Sequence, residues 1–461
     1  MIAAEKGAIP AFRTLLSCFV TLWLAGGVAW SSSVFGQVTL DKSAVRIQLK
    51  NLEEITASEV WITPEGVSIR RSEPNPETNR VVNWPWSEVV RVEQTRVDLE
   101  HEPKPLPRQE IWLTSGDRLA ASARTIVDDQ LNIGWVEQNE RKATPIPLET
   151  VAVVVFDAPL NLFARKTLRE KIARIETGSS QTNDTALLNN QDELTGEFQT
   201  LDASQIHFLR KGERVSAPRF RIAAVAINRE LLVFPRPVPR KWRVTTTDGS
   251  FFTATEFKVV DVAGDKNRQA DPASENGKNA GPRIEFLLLT GNRLTIPQSD
   301  LATIEYGTPE VRWLDDLPLK SREHLPWLAT TLPASLPLEP EIVTGPLLGL
   351  VETLAITAPW TLSAKPRSLV TWELPAGRHT LIGRATLSGA TTHSAAAIGR
   401  IRHNDGTLWE SPSLTLDHPA ATFQVEINNR ATGRLSLEAV AGPVGNQGAE
   451  IQWSEVVLIA H

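Results

Sequence analysis

The side chains with most to offer chemically in this 461-residue chain are its 14 tryptophans, its eight histidines and a few adjacent acidic pairs. Six of the tryptophans fall in the last third, at Trp313, Trp327, Trp360, Trp372, Trp409 and Trp453. A pyranose ring has an apolar face and a hydroxyl rim. An exposed indole beside a few convergent polar groups is therefore enough to hold a sugar. Trp372 and Trp409 alternate within β-rich runs, and Trp453 opens the last such run, so all three read as core. Trp360 follows Pro359 in a connecting segment and is the first candidate for a stacking ring. Trp327, in a proline-rich stretch, is the second. Asn404 and Asp405 could add hydrogen bonds from a loop, although Asn404-Asp405-Gly406 also reads as an ordinary hairpin turn.

Catalytic chemistry finds less support. Six of the eight histidines lie in the last third (His324, His379, His393, His403, His418 and His461), and none forms a metal-binding pair at short spacing. Cys18 is the only cysteine, which excludes an intrachain disulfide and a cysteine-based zinc site. No nucleophile elbow, P-loop or dinucleotide fingerprint is present. Asp315-Asp316 and Glu53-Glu54 are adjacent carboxylates, whereas glycosidase pairs face each other across a cleft. No catalytic residue, metal site or cofactor is expected. A net charge of −6 argues against nucleic acid, which needs a basic face.

The elements that must position these residues begin after an address. Lys6 and Arg13 precede an apolar run over residues 14–30, and small residues follow up to Gly36. That is the pattern of a secretory signal, cleaved after Gly36. The rival is an uncleaved anchor, since 17 apolar residues stand at the short edge of a membrane span. Cleavage would leave a chain with neither cysteine nor methionine, held together by its core alone.

The middle of the chain is a degenerate repeat. A proline is followed by an apolar residue four positions on and another seven on: Pro85, Val89, Val92; Pro147, Val151, Val154; Pro218, Ile222, Val225; Pro297, Leu301, Ile304. Each unit opens with a β-rich run, a polar turn and a second alternating run. The turns contain Lys50-Asn51-Leu52-Glu53, Ser115-Gly116-Asp117, Asn190-Gln191-Asp192-Glu193 and Asp248-Gly249. Proline fixes φ and lacks a donor, so it belongs in the turn before a strand. Each unit reads as four or five strands closing into a small SH3-like or Sm-like barrel. Between the second and third units, Leu160, Ala164, Leu168, Ile172 and Ile175 fall at helical spacing among basic residues, giving an amphipathic helix with a solvated or membrane-touching basic face. Residues 264–282 are polar and without periodicity, and read as a loop.

After a proline-rich connector over residues 318–346, alternating runs separated by turns continue to the end and argue for a jelly-roll sandwich. Residues 311–460 resemble the bacterial NPCBM carbohydrate-binding-module family. The resemblance rests on four segments in order: Val311-Arg312-Trp313-Leu314-Asp315-Asp316-Leu317, LVTWELPAGRHT over 369–380, IRHNDGTLWESP over 401–412, and Trp453-Ser454-Glu455-Val456-Val457-Leu458. It implies a galactose-binding-like fold and a polysaccharide or glycan ligand. Where the family carries a histidine leading into the sandwich, this chain reads Leu354-Ala355-Ile356-Thr357-Ala358-Pro359-Trp360.

The expected molecule is thus all-β, with tandem small SH3-like/Sm-like barrel repeats followed by a C-terminal jelly-roll sandwich. The segments are a signal (1–36), repeats at 37–99 and 100–159, the helix (160–178), repeats at 179–234 and 235–309, and the sandwich (310–461). The function expected is non-catalytic carbohydrate binding by an exported periplasmic, cell-surface or secreted protein. Trp360, Trp327, Asn404 and Asp405 form the site and the barrels a platform. The partners are a glycan and envelope proteins, with a membrane involved only if the signal is uncleaved. The alternative is a protein-interaction scaffold of the envelope with a degenerate, non-binding sandwich.

Overall fold

The computed structural model describes residues 38–39, 45–57, 59–70, 81–94, 107–135, 144–177, 183–260, 283–324, 341–343, 361–388, 395–443 and 449–461. The signal segment, the 264–282 loop, Trp327 and residues 354–360, with Trp360, lie outside them. The described chain is all-β apart from one α-helix and several single 3₁₀ turns.

Four units of one plan come first. In unit II, Glu110–Leu113 pairs with Arg118–Leu119, the chain continues through Ala121–Val127, Gln130–Trp135 and Thr144–Pro147, and Val151–Val155 returns to pair with Glu110–Leu113. Unit III runs Asp184–Leu188, Glu193–Leu201, Gln205–Arg210, Glu213–Pro218 and Ile222–Ala226; unit IV runs Lys241–Thr246, Phe251–Val260, Arg283–Leu288, Arg293–Pro297 and Leu301–Gly307. In both, the first strand again lies between the second and the last. Unit I has the same closure, with Val45–Leu49 between Glu54–Ala57 and Val89–Gln94.

The repeat has a structural cause in each unit. Pro85, Pro147, Pro218 and Pro297 each stand immediately before a single 3₁₀ turn that leads into the last strand. Their φ values of −65°, −55°, −60° and −60° are what the pyrrolidine ring imposes. The residues four and seven positions on are all buried in one core. The polar turn after the first strand is also shared. The N–H groups of Lys50, Thr114, Asn189 and Thr247 donate to the carbonyls of Glu88, Thr150, Arg221 and Asp300, each the third residue after its proline. The turn needs one residue at positive φ, filled by Leu52 (73°), Gly116 (85°), Gln191 (73°) and Gly249 (88°).

The units join edge to edge. The last strands of I and IV pair antiparallel, as do those of II and III. Units II and IV meet at their second strands through Arg118 and Phe251. There the Asp117 carboxylate accepts from the Thr253 N–H at 2.9 Å, and the Ser250 hydroxyl accepts from the Ala120 N–H at 2.8 Å. The spatial order is therefore III–II–IV–I.

The helix Leu162–Thr177 covers the joint of units II and III, where Leu168, Ile172 and Ile175 pack on Val153, Val155, Ala224 and Ala226. Two sequence expectations change here. Leu160 precedes the helix and is exposed instead of lying on its apolar stripe. Arg165 and Arg169, expected on a solvated or membrane-facing side, turn inward onto buried Glu110, at 3.1 and 3.4 Å. Burial alone would raise the Glu110 carboxyl. Arg169, Arg165 and Arg118, with a hydrogen bond from Trp112, outweigh it and hold the group below its usual range.

The C-terminal part is a β-sandwich. One sheet runs Glu341–Val343, Thr361–Ala364, Glu450–Ala460, Gly377–Ser388 and Ala420–Asn429, with Val311–Trp313 also paired to Glu450–Ala460. The other runs Leu319–His324, Ser368–Leu374, Gly433–Ala441, Ala397–His403 and Gly406–Glu410. Val370, Trp372, Leu381, Phe423, Leu437 and Trp453 are among the side chains that fill the space between them.

Candidate functional site

At one end of the sandwich three turns come together. They join Ser368–Leu374 to Gly377–Ser388, Ala397–His403 to Gly406–Glu410, and Ala420–Asn429 to Gly433–Ala441. Cross-strand pairing brings them level, with Leu374 opposite Gly433, Gly377 opposite Asn429 and His403 opposite Leu435. Here the apolar core is capped by polar side chains. Asn429 is buried, and its Nδ2 donates to the carbonyls of Leu374 and Pro375 at 3.2 and 3.3 Å. His379 is buried with its Nε2 3.1 Å from the Pro375 carbonyl. Burial pushes the His379 imidazole below its ordinary value, and the charge of Arg312 acts in the same direction. Gly433 has no room for a side chain: a Cβ would sit 2.8 Å from Asn429 Nδ2 and 2.9 Å from His403 Nε2.

The rim above this cap carries two of the four expected site residues. Asn404 takes the left-handed position of its turn, at φ 52°. Its N–H donates to the Arg434 carbonyl at 2.8 Å, and its Oδ1 accepts from the Arg434 N–H at 3.0 Å. Asn404 thus fastens one turn to the neighbouring strand. The Asp405 side chain is 90% exposed and accepts from the Arg434 guanidinium at 3.1 Å. Arg402 reaches the Asp405 carbonyl at 3.2 Å. The exposed Asp405 carboxylate and Arg434 guanidinium thus stand beside the half-buried Arg402 and His403. Such groups can both donate to and accept from ligand hydroxyls.

The aromatic half of the expected site, Trp360 and Trp327, lies outside the described residues. Trp372 and Trp453 are buried in the sandwich core. Trp409 is half-buried on the edge strand, its ring 5.2 Å from Phe423 and 6.3 Å from Trp453. Trp313 is buried between the sandwich and unit IV, with the Arg243 guanidinium 3.9 Å over its ring. The carboxylates beside it are docking groups, Asp315 bonded to Arg243 and Asp316 to Lys241. Desolvation in the contact opposes the Asp315 anion, but the Arg243 charge and hydrogen bond outweigh it and hold the pKa below its ordinary value. Glu54, of the other adjacent pair, lies 3.2 Å from Arg46 on the surface.

Sequence reasoning missed His379, His403, Asn429 and Arg434 as neighbours. They come from four strands, and no spacing along the chain links them. Among the described residues no group of three or more His, Cys, Asp or Glu could hold a metal ion. No helix among them is long and apolar enough to cross a membrane.

No protein-family model and no curated protein matches the chain. Solved structures that resemble it include carbohydrate-binding modules. One is CBM51-2 with the INT domains of Clostridium perfringens ZmpB in complex with GlcNAc, at 12% identity over 39% of this chain and 36% of that one, TM-score 0.26. This chain thus spans about a third of that structure. A second is CBM51 from Clostridium perfringens GH95 in complex with methyl-galactose, at 14% identity over 32% of this chain and 99% of that one, TM-score 0.25. A third is the tandem CBM51 pair of Sp3GH98 from Streptococcus pneumoniae, at 10% identity over 76% and 99%, TM-score 0.25.

Proposed function

We propose that this protein is an exported, non-catalytic binder of polysaccharide, with the turn end of its NPCBM-like sandwich as the contact surface and the four barrel units as its platform. The observation that carries this reading is the rim of Asp405, Arg434, Arg402 and His403 on a closely packed, hydrogen-bonded cap of His379, Asn429 and Gly433. Preorganised donors and acceptors lose little entropy on meeting a polyhydroxylated ligand. Trp360 and Trp327 supply the stacking faces in this reading.

Affinity electrophoresis of the whole chain through gels containing different polysaccharides tests it. Retention by one or more glycans is expected, reduced in Trp360→Ala and in Asp405→Ala/Arg434→Ala. Full mobility in every gel would remove carbohydrate binding and leave the scaffold reading. That alternative draws on the way the sandwich is locked to the barrels: Arg91 of unit I lies 2.9 Å from Glu455 of the sandwich and 3.4 Å from Glu305 of unit IV.

A further inference from the structure

The connection between units III and IV reads Leu231-Leu232-Val233-Phe234-Pro235-Arg236-Pro237-Val238-Pro239-Arg240. Prolines at three alternate positions remove three backbone donors and fix three φ values near −65°. Leu231 closes a 3₁₀ turn over Arg229–Leu231; from Leu232 on the stretch belongs to neither helix nor sheet, and its burial has a different period. Leu232, Pro235 and Val238 are half-buried, while the two residues between each of them are exposed. Three residues per turn is the repeat of a polyproline II helix.

The segment is anchored at its start. Asn228 is buried and its side chain accepts from the Glu230 N–H at 3.1 Å. The Val233 N–H donates to the Glu149 carbonyl at 2.8 Å, and the Val233 carbonyl accepts from the Thr114 hydroxyl at 2.8 Å. At its other end Lys241 begins the first strand of unit IV. The outward sides form two ridges. Leu231, Phe234, Pro237 and Arg240 make one, and Val233, Arg236 and Pro239 make the other. Leu231, Val233 and Phe234 are 58%, 51% and 51% exposed, unusual for side chains of that size. Arg229 lies with its guanidinium 5.5 Å from the Phe234 ring, and Arg236 and Arg240 are exposed farther along.

We propose that residues 231–240 are a docking strand for a second protein, one whose groove is lined with aromatic side chains and rimmed with carboxylates. A left-handed three-fold ridge of proline and apolar side chains fits the slots between aromatic rings, and its order is already established before binding. Arg229, Arg236 and Arg240 select the acidic rim. The strand shares no residue with the sandwich turns, and its use does not depend on glycan.

The test is binding of the whole chain to a panel of purified SH3 and WW domains, whose grooves have this aromatic lining. Phosphatidylglycerol vesicles form a separate arm. At least one domain is expected to bind. Phe234→Ser/Pro237→Ser should weaken it about tenfold or more, a loss near 1.4 kcal/mol. Arg236→Glu/Arg240→Glu should slow association and flatten its salt dependence. All four positions are exposed, so the circular-dichroism melt of each variant should match the parent. Binding by no domain of the panel, or equal binding by parent and variants, overturns the proposal. Retention on the vesicles without binding to any domain also overturns it, in favour of an anionic lipid contact.

Discussion

Val154 and Val225 face each other across the joint of units II and III, and each is the seventh residue after the proline that opens its own last strand. The same holds at the joint of units I and IV, where Val92 faces Ile304. Each joint is thus a local two-fold axis through one repeat position. The contact of units II and IV is a third, since Asp117 and Ser250 occupy equivalent turn positions and exchange equivalent hydrogen bonds. What covers the two long joints differs. Over Val153 and Val155 lies an apolar helix face. At the other joint the position equivalent to Val153 is Arg91, met by Glu305 and by Glu455 of the sandwich. One repeated surface was adapted to two coverings, one apolar and one ionic.

The Arg91 triad should be sensitive to loss of its cation. Burial opposes the Arg91 charge, but Glu455, Glu305 and Glu93 outweigh it and raise its pKa. Arg91→Ala leaves Glu305 buried without its partner, which costs roughly 3–5 kcal/mol. Arg91→Met with Glu305→Gln should recover much of that. Urea unfolding midpoints of the three proteins check this.

Asp117 gives the β units a pH dependence. Burial raises its carboxyl to about 6, although Ser115 and the Thr253 N–H stabilise the anion. The unfolded group titrates near 3.9. Between these values the folded state holds the proton more tightly, so this group's contribution is most favourable below about pH 4. It is lost as pH rises through about 6, with a total cost of roughly 3 kcal/mol above that. Buried Asp184, also raised by desolvation, acts in the same direction. Asp117→Asn can keep both hydrogen bonds and should be more stable than the parent at pH 7.5, with a flatter melting curve between pH 4 and 6. Thermal melts across that range are the measurement.

The shared turn predicts a stabilising substitution. Gln191 is exposed and sits at φ 73°, which costs a residue with a Cβ. Gln191→Gly should stabilise by about 1 kcal/mol, and Gly116→Ala, at φ 85° in open space, should destabilise by about the same. Leu52 has the same φ but packs against the cluster between unit I and the sandwich, so Leu52→Gly should gain nothing. Melting temperatures compared pairwise test the set.

The sandwich cap should not tolerate a side chain at residue 433. Gly433→Ala places a methyl against Asn429 and His403 and should cost about 1–3 kcal/mol. The strain falls on the candidate rim, so histidine ring resonances of His403 should shift, and glycan retention should fall with them. Two-dimensional NMR of the labelled chain and affinity electrophoresis give the two readouts.

The sequence by itself determined the local parts of this protein. The proline and the apolar residues four and seven positions on specify a 3₁₀ turn and a buried strand, and the polar turn after the first strand supplies the positive φ. These are short-range requirements of steric fit and burial, so they survive in spacing and residue type. Which units join was a tertiary decision: nothing local in Val92 or Ile304 marks them as partners across more than two hundred residues. The inward turn of Arg165 and Arg169 onto Glu110, the docking role of Asp315 and Asp316, and the meeting of His379, His403, Asn429 and Arg434 were decided the same way. A charged side chain reads alike in sequence whether solvated or paired. Only the partner, brought near by sheet pairing, distinguishes the two.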